Sequence, residues 1–385
     1  MTRIPDRGFP VAEFQDRTTR AQAMMAAQGL DGLLLMTEPE VRYFSGFQTL
    51  FWQSPTRPWF LLVPASGKPI AVIPEIGAEL MRMTWIEDIR TWAAPNPIDD
   101  GVSLLIEALA DLGSLIGILK GPETLLRMPL ADFERLNDAL PRTRFLDAAQ
   151  ILRQMRIVKS AAEIEKLAHI CAIGSATFDK VPEIARPNLP EADVFRAFRR
   201  EALAQGADDA PYVVGGADQG GYRDIISPPT DRPLQRRDIL MLDTGCVWDG
   251  YFCDFDRNFA IGDANDASRR AYDVLWRATE AGIEAARPGA TCRDLFHAMR
   301  AVIQEMDQGS GDVGRLGHGL GMQLTEYPSH AAWDDTVLRE NMVLTLEPSL
   351  SYGDGQMMVH EEDVVVQDGA PRLLTTRAAP DLPVI

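Results

Sequence analysis

Cysteine is scarce in this 385-residue chain. Cys171, Cys246, Cys253 and Cys292 show no C-x-x-C spacing. That argues against a zinc knuckle or a thiol redox pair and suits reduced thiols in a cytoplasmic setting. Cys246 and Cys253 flank two aspartates, and their place there reads as strand packing. Positive charge is short as well: 38 Lys and Arg stand against 56 Asp and Glu, a net charge of −18. Nucleic acid and anionic membrane partners need basic patches, so both are set aside. Long apolar runs are missing. None approaches the ~18 residues of a bilayer span, and MTRIPDRGFP holds no apolar core of a secretory signal. There is no GxSxG elbow and no signature for a Cys–His pair. VVGGADQGG lacks the Lys-Ser/Thr end of a phosphate cradle and reads as a substrate-pocket loop.

What is present suits a globular enzyme. Hydrophobic content of 46% supplies large cores, and the length allows two or three domains. The first domain is expected over 1–152. VAEFQDRTTRAQAMMAAQ has helical apolar spacing and stops at Gly29, before a short strand at Leu33–Met36. FLLVPASGKPIAVIP is two apolar runs around a Ser-Gly-Lys turn, a hairpin. VSLLIEALADLG and LIGILKG add a helix and a strand, so the region reads as an α/β layer. Ser160-Ala-Ala-Glu163 has the form of a capping box and opens the second domain, 153–385. Helices are expected over 160–180 and 190–205, then over DASRRAYDVLWRATEAGIEAARPG, stopped by Pro288 and Gly289, and over CRDLFHAMRAVIQEM.

The chemistry gathers in the last third. Asp243 lies in MLDTG, Asp254 in YFCDFDR, His318 in LGHGLGM, Glu347 in VLTLEPS and Glu362 in VHEEDVVV. Each follows or interrupts a short apolar run that reads as a buried strand. A lone buried carboxylate gives up its charge or costs several kcal/mol. Four carboxylates and an imidazole that converge can share divalent cations, which removes that penalty. An all-oxygen-and-nitrogen donor set suits Mn, Fe, Co or Zn.

These motifs resemble the pita-bread metallohydrolases, the family of methionine aminopeptidase, aminopeptidase P, prolidase and creatinase. The likeness is strong over about 155–378 and looser before it. It implies an α+β fold, with a pita-bread catalytic domain behind a smaller creatinase/prolidase-type α/β domain. It implies two divalent metal ions, manganese among the candidates. Asp243 would chelate one, His318 and Glu347 the other, and Asp254 and Glu362 would bridge. Glu347 would accept a proton from the shared water. It also implies a homodimer in which the stretch FQTLFWQSPTRPWF serves the partner's active site. Trp52 would then wall the pocket and Arg57 clamp a substrate carboxylate. So aromatic a stretch is not expected to stay in water as one exposed patch.

The sequence also departs from the family. Peptidases carry two further histidines, and here Ile226 or Ser227 and Thr325 stand at those places. An arginine common before the final acidic pair is replaced by His360. His360 is therefore expected to act in catalysis and substrate binding, beside Thr325 and Tyr327. The leading reading is a dinuclear metal-dependent hydrolase of a peptide or amide C–N bond, similar to Xaa-Pro dipeptidases and aminopeptidases. The alternatives are a small-molecule enzyme, similar to ectoine hydrolase or dimethylsulfoniopropionate lyase, and more remotely a non-catalytic binding module. Against the lyase, its additional aspartate two residues after the first ligand is Gly245 here.

Overall fold

The structure, a computed structural model, describes residues 4–54, 57–306 and 314–385. They form two compact units that divide between Arg156 and Ile157. Pro55 and Thr56 of the aromatic stretch lie outside the described residues.

The N-terminal unit opens with α1 (Val11–Gln28), whose apolar stripe buries Phe14, Ala21 and Met25. Gly29 ends it in the left-handed region, φ 68°, with its N–H returned to the carbonyls of Ala26 and Met25. There follow β1 (Gly32–Leu35), α2 (Glu38–Ser45), β2 (Phe60–Pro64), β3 (Ile70–Pro74), α3 (Ala78–Arg82) and β4 (Asp88–Trp92). Next come α4 (Val102–Ala110), β5 (Leu115–Ile118), α5 (Leu130–Ala139), β6 (Arg144–Asp147) and α6 (Ala149–Arg156). The strands make one sheet in the order β4-β3-β2-β1-β5-β6. The β1-β2 and β2-β3 ladders are antiparallel and the others parallel. Leu34, Phe60, Leu62, Val72 and Ile116 of the sheet share a core with Leu105 and Leu109 of α4 and Leu136 of α5.

The aromatic stretch corrects an expectation. Phe47, Trp52, Trp59 and Phe60 are buried inside this unit, with Trp59 5.2 Å from Phe47 and 6.0 Å from Trp52, ring to ring. Arg127 holds the segment by donating to the carbonyls of Arg57, Trp52 and Ser54 at 3.0, 2.9 and 2.6 Å. Of the apolar side chains described in the stretch, Leu50 and Phe51 stay outside, 79% and 41% exposed, and the Arg57 guanidinium lies 5.2 Å above the Phe51 ring.

The C-terminal unit begins with α7 (Ala161–Phe178) on a complete capping box between Ser160 and Glu163. After α8 (Val181–Ile184) and α9 (Glu191–Gln205) come β7 (Asp209–Gln219), β8 (Asp238–Trp248), β9 (Tyr251–Phe252) and β10 (Phe255–Ala260). They form an antiparallel sheet ordered β10-β8-β7, with β9 folded back on β8. VVGGADQ is therefore part of β7 and not a pocket loop. Gly215, φ 138°, allows it: a Cβ there would sit 2.2 Å from the Met241 carbonyl oxygen. Helices α10 (Asp266–Ala285) and α11 (Cys292–Ile303) follow. The last third supplies β11 (His318–Gly319), β12 (Glu326–Ser329), β13 (Val343–Leu346), β14 (Ser349–Tyr352), β15 (Gln356–Val359), β16 (Glu362–Val365) and β17 (Arg372–Leu373). The second sheet runs β12-β11-β13-β16-β17, beside a β14–β15 hairpin. Met241, Leu344, Leu346 and Val364 share one core with Leu275 and Ala278 of α10 and Leu295 and Met299 of α11. Among the described residues no helix is long and apolar enough to cross a membrane.

Candidate metal centre

His318 is positioned by the glycines on either side of it. A Cβ on Gly317 would lie 2.3 Å from the Thr345 carbonyl oxygen, and one on Gly319 2.4 Å from that of Tyr327. Without side chains there, β11 fits between β12 and β13, and the histidine ring is driven inside. Its Nδ1–H donates to the Gly319 carbonyl at 2.9 Å. That leaves the Nε2 lone pair facing Asp254, whose Oδ2 is 3.5 Å away. Burial, with Arg315 adding to it, brings the His318 pKa down to about 4. The ring is neutral at physiological pH, the form that ligates a metal, and its tautomer is set by the backbone.

Carboxylates crowd around this imidazole. Asp254, His318 and Glu361 each offer one atom, and the three atoms lie within 4.8 Å of one another. Asp243 on β8 is paired across the ladder with Asp256 on β10, and the Tyr212 phenol of β7 opposes the rise of its pKa. Glu347 follows β13, its N–H held by the Leu316 carbonyl at 3.1 Å. The acids disturb one another. Burial and then the Glu347 charge push Asp243 up to about 8. Burial pushes Glu347 up to about 7, against the pull of Arg315. Asp254 is driven well above the usual carboxylate range by burial and then the charges of Asp243 and Glu347, and Glu361 by burial and then the charge of Asp254. Asp243 Oδ1 and Glu361 Oε1 are buried with no hydrogen-bond partner. Orphaned carboxylate oxygens, shared negative charge and a neutral imidazole are the donor set a hard or borderline divalent cation takes up.

Two expectations are corrected here. Glu362 does not join the cluster. Its Oε2 takes Arg257 Nη2 at 3.0 Å and the Thr375 hydroxyl, while Oε1 takes Arg377 Nη1 at 3.1 Å and the Ala378 N–H at 2.8 Å. His360 is also on that side: Nδ1 is 2.9 Å from the Thr279 hydroxyl of α10, and the ring meets Tyr272 edge-on. Extended chain alternates its side chains. His360, Glu362 and Val364 face α10, and Glu361 and Asp363 face Asp254, whose N–H donates to Asp363 at 3.2 Å. The reading that His360 and Glu362 share a face is right, but the face is the back of the site. Burial leaves His360 neutral, its pKa down at about 3.

The description "Metallopeptidase family M24" matches residues 165–368, and "Creatinase/Prolidase N-terminal domain" matches 17–158. The chain belongs to metallopeptidase family M24. The M24 chain is 29% identical over 371 residues to the "Probable dipeptidase PepE" of Mycobacterium tuberculosis, covering 94% of this chain and 95% of that one. It is 24% identical over 358 residues to the Xaa-Pro dipeptidase of Pyrococcus horikoshii, covering 91% and 95%. The crystal structure of dipeptidase PepE from Mycobacterium ulcerans superposes with a TM-score of 0.84 at 28% identity, over 98% of this chain and 99% of that one. The chain is thus a metal-dependent, peptidase-like hydrolase.

The other candidate residues fall in different places. Thr325 is at the centre, its hydroxyl 3.5 Å from His318 Nε2. The Tyr327 hydroxyl is bonded to Thr336. Ile226 is 73% exposed, and the Ser227 hydroxyl is bonded to Asp224. Trp52 and Arg57 belong to the N-terminal unit. Sequence reasoning missed Glu361, Tyr212 and Asp256. Glu361 was legible as the other half of the Glu-Glu pair; Tyr212 and Asp256 reach Asp243 only through the β7–β8–β10 register.

Proposed function

We propose that this chain is a dipeptidase acting through two divalent ions held by Asp243, Asp254, His318, Glu347 and Glu361. The observation that carries the reading is the convergence of a neutral imidazole with buried, mutually repelling and partly unpartnered carboxylates, in a chain aligned over nine-tenths of its length with named dipeptidases. Bound there, a pair of divalent ions lowers the pKa of a shared water and polarises the scissile carbonyl. Glu347, which follows β13, would take a proton from that water and return it to the leaving amine. His318 keeps its ring oriented through the Gly319 carbonyl. The Tyr212 phenol opposes the rise of the Asp243 pKa.

The substrate-reading shell favours a compact substrate. With Thr325 and either Ile226 or Ser227 at the two histidine places, the two imidazole donors to the scissile carbonyl are lost. Each oxyanion donor is worth ~2.7–4 kcal/mol, or about 10²–10³ in rate. The expected outcome is turnover of Xaa-Pro dipeptides at least about 100-fold below that of the best compact dipeptide or carboxylated amide. The check is amino-acid release by the manganese-loaded protein across such a panel, with a chelator abolishing every activity. If Xaa-Pro dipeptides lead the panel, the altered-pocket reading is lost. The same losses favour, as a second reading, a small-molecule amide hydrolase. A lyase centre is disfavoured, since its additional aspartate is Gly245 here.

We also infer a homodimer, now resting on Leu50 and Phe51 rather than on the whole aromatic stretch. Light scattering should give twice the chain mass, and Leu50→Ser with Phe51→Ser should shift the protein toward monomer. A parent chain that is monomeric at micromolar concentration removes the idea.

A further inference from the structure

Among the described residues, the cations near the metal centre are already committed, with one exception. Arg257 and Arg377 pair with Glu362 at 3.0 and 3.1 Å. Lys159 is buried against Glu326 at 3.0 Å. Arg315 is half-buried, three residues before His318. Among the described residues it has no carboxylate within ion-pair distance, and its side chain makes one long hydrogen bond, Nη1 to Ser329 Oγ at 3.4 Å. Ser329 is the cross-strand partner of His318. The residue after Arg315, Leu316, holds the Glu347 N–H with its carbonyl and takes the His330 carbonyl with its own N–H. The guanidinium is therefore anchored on the same backbone that positions two members of the cluster, with most of its five N–H groups unused. Its charge reaches the cluster: it opposes the upward push on Glu347 and Asp254 and adds to the lowering of His318.

We propose that Arg315 is the clamp for a free carboxylate on the substrate, so that the favoured substrates carry a carboxylate next to the bond that is cut. The inference deepens the dipeptidase reading and rests on it for the position of that bond. The charge count supports it. Four carboxylates and two divalent ions cancel, so an anionic substrate gains nothing from the net charge of the centre itself. A guanidinium with no carboxylate partner among the described residues supplies the missing counter-charge, and its planar fork matches a carboxylate. His360, expected from the sequence to bind substrate, faces α10 instead.

The test compares parent, Arg315→Met and Arg315→Lys, all manganese-loaded and checked for metal content and melting temperature. Each is given a dipeptide and its C-terminal amide as substrates, and L-proline and L-prolinamide as calorimetric ligands. The parent should favour the acid in both assays. Arg315→Met should lose roughly 10–100-fold in kcat/KM and in affinity toward the acids and stay within about threefold toward the amides. Arg315→Lys should recover part of the acid preference. Equal losses toward acid and amide, or no loss toward either, overturn the clamp. A parent that cleaves no dipeptide yet binds L-proline over L-prolinamide through Arg315 sustains the clamp and rejects the peptidase reading. A parent that cleaves acid and amide alike rejects the clamp and keeps the peptidase.

Discussion

Glu361→Gln should empty the metal centre, while its neighbour Glu362→Gln should keep the metal and loosen the fold. The two side chains are adjacent in sequence and opposite in environment. Glu361 stands within 4.8 Å of Asp254 and His318, ligand atom to ligand atom, and one of its oxygens has no partner. Glu362 is fully buried too, yet Arg257, the Thr375 hydroxyl and the Ala378 N–H outweigh burial and hold its carboxyl below the usual range. An amide at 361 removes the negative charge a divalent cation needs, so activity should fall below about 1% of the parent, as losses of ~2.7–4 kcal/mol would give. An amide at 362 leaves two guanidinium groups without their counter-charge. Breaking a buried pair in this way costs about 3–5 kcal/mol, roughly 10 °C of melting temperature for a unit of this size. Elemental analysis and thermal melts of the two variants decide it. The assignment is wrong if Glu362→Gln loses the metal and Glu361→Gln keeps it.

The same pair marks how far the sequence could be read. HEED offers two glutamates in succession, and one residue of register exchanges the faces of a strand. Nothing local says which parity faces the metal, because the deciding partners, Arg257 and Arg377, lie 105 residues before Glu362 and 15 after it. Features settled by neighbours in sequence were legible: the Ser160–Glu163 capping box, the Gly29 and Gly206 helix ends, and the glycines flanking His318. Features settled by tertiary contact were not. Arg127 reaches some 70 residues back to order the aromatic stretch, and Tyr212 finds Asp243 only once β7 and β8 are in register. VVGGADQ was misread because its glycines suggest a loop, whereas Gly215 lets two strands press together.

Stripped of metal, the protein should lose stability as the pH rises from about 6.5 to 8, and added manganese should restore most at the alkaline end. Burial and the Glu347 charge put the folded Asp243 at about 8, from 3.8, and burial puts the folded Glu347 at about 7, from 4.5. A carboxyl whose folded pKa is raised binds more protons in the native state than in the unfolded one. Its contribution is complete below the unfolded value and is lost as the pH climbs through the folded value. The buried histidines act in the opposite sense. His318, His330 and His360 are lowered to about 4, 3 and 3, chiefly by burial, from 6.5. Their contribution is complete above 6.5 and is lost in acid. The two trends offset one another between about 4 and 6.5 and separate above it, where the carboxylates act alone. Each excess native proton contributes up to ~1.4 kcal/mol per pH unit, so two carboxyls across this window amount to about 2–3 kcal/mol. That corresponds to a fall of roughly 5–10 °C in the melting temperature of the apo protein. Bound divalent ions replace the protons as counter-charge, so the loaded protein should show a flatter profile and a metal-induced shift that grows with pH. Asp243→Asn and Glu347→Gln should each remove part of the apo slope, since an amide has no proton to lose. An apo melting temperature that is level or rises between pH 6.5 and 8 would mean that these carboxylates are already ionised in the empty site, and that their repulsion is relieved by something other than metal.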